Sequence, residues 1–493
     1  MATGVSKTRW KSKRHPPSPK LVENGIHLFY EGKKDEQDIL GTPPARPSTV
    51  WSKNRLDHTA NRLYYGDNLS LLATLLNDAN VRGHVRLIYI DPPYATNSVF
   101  QSRSQTDAYT DVLAGSHYVE FMRERLIMLR ELLANDGSIY VHLDENMAFH
   151  IKLIMDEVFG SGNFRNWITR KKCNPKNYTR KTYGNISDYI LFYSKTGHYV
   201  WNRPVESWTA ERAAKEYQYI EKDTGTGRRY KKVPIHAPGV RNGATGTSWR
   251  GMLPPPGKHW QYTPDKLDEM DARGEIYWSP NGNPRRKVYL DESDGIPVQD
   301  IWLDFRDAHN QNIEITGYPT EKNPDLLAQI IRASSNPGDL VLDCFCGSGT
   351  TLAVAATLGR CWIGIDNSAE AIATTLRRFA IGAQPMGDFV GARNRQNKGV
   401  SSNPFDLTLP LFDLSEMRQV EQHADAHIPI TDFTLLCEPS IVAELSSALR
   451  EWETHRKPHR GDNTIKEQPR KYRTVSGGVL KTSAQKRKPT KRR

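Results

Sequence analysis

The sequence predicts an α/β fold built on a doubly wound, mostly parallel sheet. Short apolar runs typical of buried strands alternate with stretches whose apolar residues recur every three or four positions, as on one face of a helix. One such stretch carries Val119, Met122 and Leu126, and the strand-like run 138–143 follows it. Helices of this kind supply the crossover connections that parallel strands need. Two of the apolar runs end in residues suited to chemistry.

The first of these runs, 87–90, ends at Asp91-Pro92-Pro93-Tyr94. Two consecutive prolines donate no backbone hydrogen bonds, so the strand has to stop there. The corner then offers a carboxylate, carbonyl oxygens and an aromatic ring, which together suit a planar heterocycle that carries an amino group. For an isolated match, a turn that only ends a strand is the plainer alternative.

The second run, 339–343, leads into a glycine turn, a helix of small residues and a further apolar strand that ends at Asp366. Strand, Gly-x-Gly turn, helix, strand and terminal acid are typical of a nucleotide-binding unit. Gly347 and Gly349 let a ligand approach the backbone, and Asp366 is placed to accept hydrogen bonds from ribose hydroxyls. The third glycine of the dinucleotide fingerprint is missing, which favours a nucleoside ligand over a pyrophosphate.

These two stretches resemble the amino-group DNA methyltransferases that use S-adenosylmethionine. The tetrad 91–94 matches that family's catalytic motif, and the stretch 345–349 matches its cofactor motif. Their order, catalytic first and cofactor last, is that of the β class, which includes the Mod subunits of type III restriction systems. The resemblance runs from about residue 61 to 379 and implies a circularly permuted methyltransferase fold. Cys344 departs from the family, which usually has proline there, and the change should loosen the turn slightly.

The resemblance implies roles for individual residues. The Asp91 carboxylate and the Pro92 carbonyl would accept hydrogen bonds from the target amine, and Tyr94 would stack on the flipped base. Asp67 is expected near the adenine of the cofactor, although an acid at its position equally suits a helix cap. The implied catalytic residues are Asp91, Pro92, Pro93 and Tyr94, and the implied cofactor-binding residues are Asp343, Phe345, Gly347, Ser348, Gly349, Thr350, Asp366, Asp67 and Lys322.

Hydrogen bonding alone does not choose the target base. An ionised aspartate accepts but does not donate, so Asp91 suits the N6 amine of adenine and the N4 amine of cytosine equally. Family usage of aspartate at this position favours adenine, and cytosine N4 stays open. An RNA or protein amine methyltransferase and a non-catalytic DNA-binding subunit are further alternatives. C5-cytosine chemistry is disfavoured because no Pro-Cys dipeptide is present to supply its nucleophile.

The balance of charge points to a polyanionic partner, since 68 lysines and arginines face 56 acids in 493 residues. Five cysteines form no metal-ligand spacing and no apolar run approaches transmembrane length, so an intracellular, metal-free protein is expected, without a membrane partner. The expected partners are double-stranded DNA, a separate restriction endonuclease or other defence subunit, and a second copy of the chain.

Changes in composition divide the chain into five parts. Residues 1–50 are predicted to be a disordered, basic, proline-rich arm, and 51–165 the catalytic half of the methyltransferase domain. Residues 166–310 are the predicted target-recognition region, from which a strand near 189–193 returns to the sheet. The cofactor-binding half spans 311–385, and a polar extension with a basic tail spans 386–493. Solvated surface is the alternative for each basic cluster, but we expect phosphate contacts from Arg170, Lys171, Lys172, Arg180, Lys181, Arg228, Arg229, Arg285 and Arg286.

Overall fold

A computed structural model describes residues 27–53, 61–93, 99–101, 107–110, 115–175, 181–221, 227–307, 314–385 and 429–455. The strands are β1 (Ser48–Ser52), β2 (Arg62–Tyr65), β3 (Val85–Ile90), β4 (Val99–Gln101), β5 (Asp107–Thr110), β6 (Leu133–Leu143), β7 (Phe164–Lys171), β8 (Ser187–Ser194), β9 (Val205–Glu206), β10 (Tyr219–Ile220), β11 (Arg229–Pro234), β12 (His236–Pro238), β13 (Lys258–Trp260), β14 (Ile276–Trp278), β15 (Pro284–Tyr289), β16 (Ile296–Pro297), β17 (Ile301–Trp302), β18 (Glu314–Ile315), β19 (Leu340–Asp343), β20 (Cys361–Asp366), β21 (Gln384–Pro385) and β22 (Thr434–Cys437). The α-helices are α1 (Glu36–Leu40), α2 (Asn68–Leu76), α3 (Ser116–Leu132), α4 (Ala148–Phe159), α5 (Ala210–Glu216), α6 (Pro264–Ala272), α7 (Pro324–Ser334), α8 (Thr350–Thr357), α9 (Ala369–Ile381) and α10 (Ser446–His455).

A ten-stranded sheet organises the chain, in the order β1-β22-β2-β20-β19-β3-β6-β8-β7-β17. The six strands from β22 to β6 run parallel, and β8 reverses direction between β6 and β7. Successive residues of a strand point to opposite faces. Accordingly Ile88 and Ile90 belong to one buried apolar cluster, and Leu87 and Tyr89 to another. The predicted doubly wound, mostly parallel sheet is confirmed.

The carboxyl ends of β20, β19 and β3 lie side by side in this sheet. From β19 the chain crosses through α8 to β20 on one side, whereas from β3 it crosses through α3 to β6 on the other. Neighbouring strands whose connections leave in opposite directions form a crevice at their carboxyl ends, and ligands of open parallel sheets bind there. Asp366, Asp343 and Asp91 stand at these three strand ends.

Local sequence signals set several helix ends. Gly160 ends α4 with a φ of +87°, a conformation that glycine adopts without strain. Asn323 caps α7 by accepting the Asp325 N–H at 2.9 Å, and Pro324 occupies the first turn. Ser368 caps α9 in the same way. One boundary differs from expectation, since the strand predicted for 138–143 begins earlier, at Leu133.

The predicted disorder of the N-terminal arm is wrong for its described part, residues 27–50. The Tyr30 hydroxyl donates to Glu120, Lys33 donates to Glu157 at 2.7 Å, and Ile39 is only 2% exposed. The arm is too polar to build a core, but it packs on α3 and α4 and adds β1 to the sheet. Residues 1–26 lie outside the described residues.

The predicted polar C-terminal extension also contains part of the fold. Strand β22 is inserted in the sheet between β1 and β2. The rings of Phe433 and Trp452 are buried against Trp51, and Phe433 also packs on Trp362 and Phe379. The apolar runs of this extension therefore belong to the buried core. Residues 386–428 and 456–493, which include the basic tail, lie outside the described residues.

The target-recognition region that the sequence predicts over 166–310 begins in the large sheet and contributes strands to it on both sides of a separate segment. Strands β7, β8 and β17 belong to that sheet, and β9 pairs with β16 where the chain leaves it and returns. The segment 205–297, called the insert below, carries a four-stranded sheet, β10-β11-β15-β14, and the β12–β13 hairpin. Its small core includes Ile235, Trp249, Trp260 and Leu267.

Among the described residues, no helix is long and apolar enough to cross a membrane.

Candidate active site

A cavity of about 270 Å³ opens at the carboxyl ends of β20, β19 and β3. It brings together both predicted motifs, which lie some 250 positions apart in the sequence (91 to 343). Tyr94, the last residue of the tetrad, lies outside the described residues. Gly349 stands just behind the cavity wall as the N-cap of α8. The predicted site residues that line the cavity are Asp91, Pro92, Pro93, Asp67, Lys322, Asp343, Phe345, Gly347, Ser348, Thr350 and Asp366.

The glycine turn requires glycine at both positions of the Gly-x-Gly pattern. Gly347 has a φ of +49° and Gly349 a φ of +70°, a region that side chains with a Cβ rarely adopt. A Cβ at Gly349 would also lie 2.7 Å from the side chain of Thr375. Thr375 in turn donates its hydroxyl to the Gly347 carbonyl at 2.9 Å. The turn is therefore held closely against α9.

Asp366 ties the glycine turn to the end of β20. Its Oδ2 accepts the Gly347 N–H at 2.8 Å, and its Oδ1 accepts the Ser368 N–H at 2.9 Å. Burial raises the pKa of Asp366 to about 6. Each carboxylate oxygen has a further lone pair, so Asp366 retains the capacity to accept hydrogen bonds from hydroxyl groups of a ligand.

Asp343 organises the start of the same turn. Its Oδ1 accepts the Phe345 N–H at 3.0 Å, and its Oδ2 accepts the Thr351 hydroxyl at 2.6 Å. Burial raises the pKa of Asp343 to about 7, and the nearby carboxylates of Asp91 and Asp366 add to the rise. The carboxylates at the ends of β3 and β20 therefore act on the carboxyl group at the end of β19.

Lys322 is paired with the first residue of the tetrad. Its Nζ lies 2.5 Å from Asp91 Oδ2, and the two side chains are only 11% and 16% exposed. The resemblance had placed Lys322 with the cofactor, whereas the structure brings it to the carboxylate expected to bind the target amine. Asp91 and Lys322 are thus a buried ion pair in the cavity wall.

The segment that carries Lys322 is held in place by its neighbour Glu321. One carboxylate oxygen of Glu321 accepts both the N–H and the hydroxyl of Thr316, at 2.8 and 2.7 Å. The other accepts from Arg378, whose Nε donates to the Ser348 carbonyl at 2.7 Å. This chain of contacts connects Lys322 to α9 and to the glycine turn.

Asp67 is a helix cap, one of the two roles considered for it, and it also reaches the cavity. Asp67 caps α2 by accepting the Ser70 N–H at 2.9 Å, and it also lines the cavity. Its Oδ1 lies 3.5 Å from the guanidinium of Arg125, which stacks 3.5 Å from the ring centroid of Phe121.

Arg125, Phe121 and Asn68 line the cavity, although the sequence had not marked them as site residues. Arg125 Nε donates to Asn68 Oδ1 at 2.6 Å, and Asn68 donates to the Cys344 carbonyl at 2.9 Å. The Asn68 contact holds the turn at the position where the family usually has proline. The sequence offered no local signal for Arg125, because its burial depends on Asn68, which lies 57 positions away.

A line of buried polar groups leads away from the cavity through the sheet. The Tyr89 hydroxyl, in the cavity wall, lies 2.8 Å from His142 Nδ1, and His142 Nε2 lies 3.0 Å from Asp188. Arg170 donates to Asp188 through Nε at 2.8 Å and to Asp307 at 2.8 Å. Burial acts to raise the pKa of Asp188, but His142 and Arg170 outweigh it and hold that pKa well below its usual range.

The basic residues predicted to contact DNA fall into different environments. Arg170 is 1% exposed in its ion pairs, so its guanidinium is not available to phosphates, and its expected DNA contact is wrong for this structure. Arg180 lies outside the described residues. Lys171 and Lys172 are half-buried and Lys181 is exposed. In the insert, Arg228 pairs with Asp291 and Glu292, Arg286 contacts Tyr262, and Arg229 and Arg285 are exposed.

Known proteins resemble this chain over most of its length. The N6_N4_Mtase family model, described as DNA methylase, matches residues 85–377. The type II methyltransferase M.EcaI of Enterobacter cloacae is 48% identical over 431 residues, 86% of this chain and 91% of that protein. The StyLTI Mod subunit of Salmonella typhimurium, a type III restriction-modification enzyme, is 28% identical over 67% of this chain and 55% of its own length.

A solved structure of a putative DNA modification methylase from Thermus thermophilus, complexed with S-adenosyl-L-methionine, is also similar. It shares 17% identity with a TM-score of 0.34, covering 65% of this chain and 93% of that one. S-adenosylmethionine is the cofactor of the N6/N4 family, and the bare glycine turn and the acceptor Asp366 fit its nucleoside. The family model covers both motifs and the relative M.EcaI matches most of the chain, so the protein belongs to the N6/N4 family of DNA methyltransferases.

Proposed function

We propose that the protein transfers a methyl group from S-adenosylmethionine to the N6 amine of adenine within a specific sequence of double-stranded DNA. The observation that carries the proposal is the position of Asp91, a carboxylate in the wall of the cavity that also contains the glycine turn. A carboxylate at this point can accept hydrogen bonds from an NH2 group and repels a ring acceptor.

The chemistry requires an amine that is a poor nucleophile to attack. The lone pair of an exocyclic amine is delocalised into the ring, and hydrogen bonds from the NH2 group to Asp91 and the Pro92 carbonyl favour the tetrahedral nitrogen that has a usable lone pair. S-adenosylmethionine supplies a methyl group that is already activated, so the main task of the protein is to align the two reactants.

The proposed cofactor contacts follow from the hydrogen-bonding groups of the cavity. Asp366 offers acceptor oxygens for ribose hydroxyls, and Gly347 presents backbone that a ligand can approach closely. Asp67, at the opposite wall beside Arg125, is proposed to lie near the adenine. Asp343 lies behind them and holds the turn in shape.

The DNA must present its target base outside the helix, at a cost of a few kcal/mol. We propose that the insert recognises the sequence around that base, because it combines exposed cations with its own small core. Its exposed Arg229 and Arg285 are candidates for phosphate contacts. A separate restriction endonuclease and a second copy of the chain are proposed partners, consistent with the restriction-modification relatives.

Nucleoside mass spectrometry of DNA methylated by the purified protein tests this function. We expect N6-methyladenine in the digest and none after Asp91→Ala, while the Asp91→Ala variant keeps nearly unchanged affinity for the cofactor. Asp91 stands on β3 and the glycine turn follows β19, so the two tasks are separable. N4-methylcytosine alone would show that the target base is wrong, and unmethylated DNA would show that the function is wrong.

A further inference from the structure

We propose that Lys322 is a positioning residue for Asp91, and that its ammonium fixes the orientation in which the carboxylate accepts the target amine. The inference rests on the proposed function and deepens it. It also departs from the role that the resemblance implies, in which Lys322 belongs to the cofactor site.

The geometry of the pair supports a fixed orientation. Lys322 Nζ contacts Asp91 Oδ2 at 2.5 Å, and both side chains are close to buried. A carboxylate has about four lone-pair positions on its two oxygens, so an ammonium on Oδ2 leaves acceptor capacity for an NH2 group. Rotation of the Asp91 carboxylate would break the ion pair in surroundings that water screens poorly, which makes that rotation costly.

The backbone around Lys322 is held on both sides. Glu321, the residue before it, is bound by Thr316 and Arg378, and Asn323, the residue after it, caps α7. These contacts fix the backbone on both sides of Lys322 and so limit where its ammonium group can lie. Because Arg378 also donates to the Ser348 carbonyl, the anchor that positions Lys322 is shared with the glycine turn. The orientation of Asp91 is thereby linked to the place where the cofactor is expected.

Charge gives a second reason for a cation at this point. Asp91, Asp343 and Asp366 stand at adjacent strand ends, and the carboxylates of Asp91 and Asp366 add to the rise in the pKa of Asp343. Lys322 places a positive charge among these acids, at the carboxylate where the amine is to bind. Lys322 therefore serves the methyl acceptor, and we expect its loss to affect turnover far more than cofactor binding.

The test compares Lys322→Met, Lys322→Gln and Lys322→Arg in the full-length protein. Cofactor affinity is measured by calorimetry with S-adenosylmethionine alone, and kcat and KM with a duplex that the wild type methylates. We expect Lys322→Met to lower kcat by about 100-fold, as loss of one preorganised electrostatic group does. The cofactor Kd should stay within about threefold of the wild-type value, well short of a tenfold change. Lys322→Arg, which keeps the charge, should recover part of kcat.

A matched control is Lys152→Met. Lys152 forms an ion pair with Asp156 at 2.6 Å on α4, and neither residue lines the cavity. This substitution should leave kcat and cofactor Kd unchanged. If Lys322→Met does not fold, Lys322→Gln, which keeps a hydrogen-bond donor without the charge, carries the comparison. A kcat for Lys322→Gln equal to that of the wild type would overturn the proposal.

A double variant separates a shared task from independent ones. If Lys322 acts through Asp91, adding Lys322→Met to Asp91→Asn should lower kcat little further, because residues that act as a unit are not additive. Weaker cofactor binding by tenfold or more in Lys322→Met, with kcat unchanged, would overturn the proposal and return Lys322 to the cofactor site. A higher kcat would overturn it too, since Lys322 would then be obstructing the amine. Absence of methylation by the wild type would instead refute the proposed function.

Discussion

Two buried carboxyl groups of the cavity and two carboxyl groups of the insert have pKa values shifted in opposite directions from their ordinary values. In the cavity, burial raises the pKa of Asp343 to about 7 and that of Asp366 to about 6. In the insert, hydrogen bonds from Arg228 and Arg273 lower the pKa values of Asp291 and Glu275. Asp343 and Asp366 are buried and accept from backbone N–H groups, whereas Asp291 and Glu275 are more exposed and meet arginines.

The difference shows two ways of building with charge. The cavity places Asp343 and Asp366 where burial opposes their ionisation, and neighbouring acids add to that effect at Asp343. The insert spreads paired charges over a surface, where solvent and salt weaken each pair. Chemistry suits the first arrangement, and reversible contact with a polyanion suits the second.

The largest expected effect comes from two arginines, one in the buried polar network that leads away from the cavity and one in the insert. Arg170→Met leaves Asp188 buried without its main partner, so we expect the free energy of unfolding to fall by about 3–5 kcal/mol. Arg228→Met breaks a contact with two exposed acids and should cost about 0–1 kcal/mol. Denaturant titration measures both, and equal losses would contradict the distinction.

A smaller effect is expected from pH. Asp343 is protonated more readily in the folded than in the unfolded chain, so its contribution to stability is present below about pH 4 and is lost as pH rises toward 7. Between those pH values the wild type should lose stability relative to Asp343→Asn, by on the order of 1 kcal/mol or more.

The insert supplies the matched control with the opposite sign. The pKa of Asp291 is lowered in the folded chain. Its contribution to stability is therefore present at pH values above the ordinary pKa of an aspartate, and it is lost as the pH falls through the lowered pKa. Asp291→Asn should therefore show no difference from the wild type in the slope between pH 4 and 7. Thermal unfolding across buffers measures both variants, and a parallel pair of curves for wild type and Asp343→Asn would refute the assignment.

The smallest effect concerns DNA binding. Arg229→Ala and Arg285→Ala each remove an exposed cation, and each should weaken binding to any duplex and reduce the salt slope of log K by about 1. Arg228→Met, whose cation is already paired, should change the slope less. Titrations at several salt concentrations provide the slopes. Unchanged slopes for Arg229→Ala and Arg285→Ala would place the phosphate contacts elsewhere.

The centre of the fold was predictable because each of its signals is local. Strands β3 and β19 are apolar runs bounded by breakers, and the site residues lie within a few positions of their ends. The Asn323 and Ser368 caps are equally local signals. Such features need no knowledge of distant contacts, so the sheet and the glycine turn followed from the sequence, whereas the meeting of the two motifs was implied by the resemblance to the methyltransferase family.

Features that depend on partners distant in the sequence could not be predicted in this way. Arg170 looked like one member of a basic cluster, yet its acids Asp188 and Asp307 lie 18 and 137 positions away. Lys322 was placed by resemblance, while its partner Asp91 belongs to the other motif. Strand β22 could be recognised only as an apolar run, because its neighbours in the sheet, β1 and β2, lie far from it in the sequence.

The place of β22 between β1 and β2 has a consequence for how the chain assembles during synthesis. Ser48 of β1 pairs with Cys437 of β22, 389 positions later, and β22 is the neighbour through which β1 joins the sheet. Among the strands that the structure describes, the first to leave the ribosome must therefore wait for the last. Until then Trp51 lacks the covering ring of Phe433, and so do Trp362 and Phe379 once they have been made, so the growing chain carries uncovered aromatic rings until Phe433 emerges.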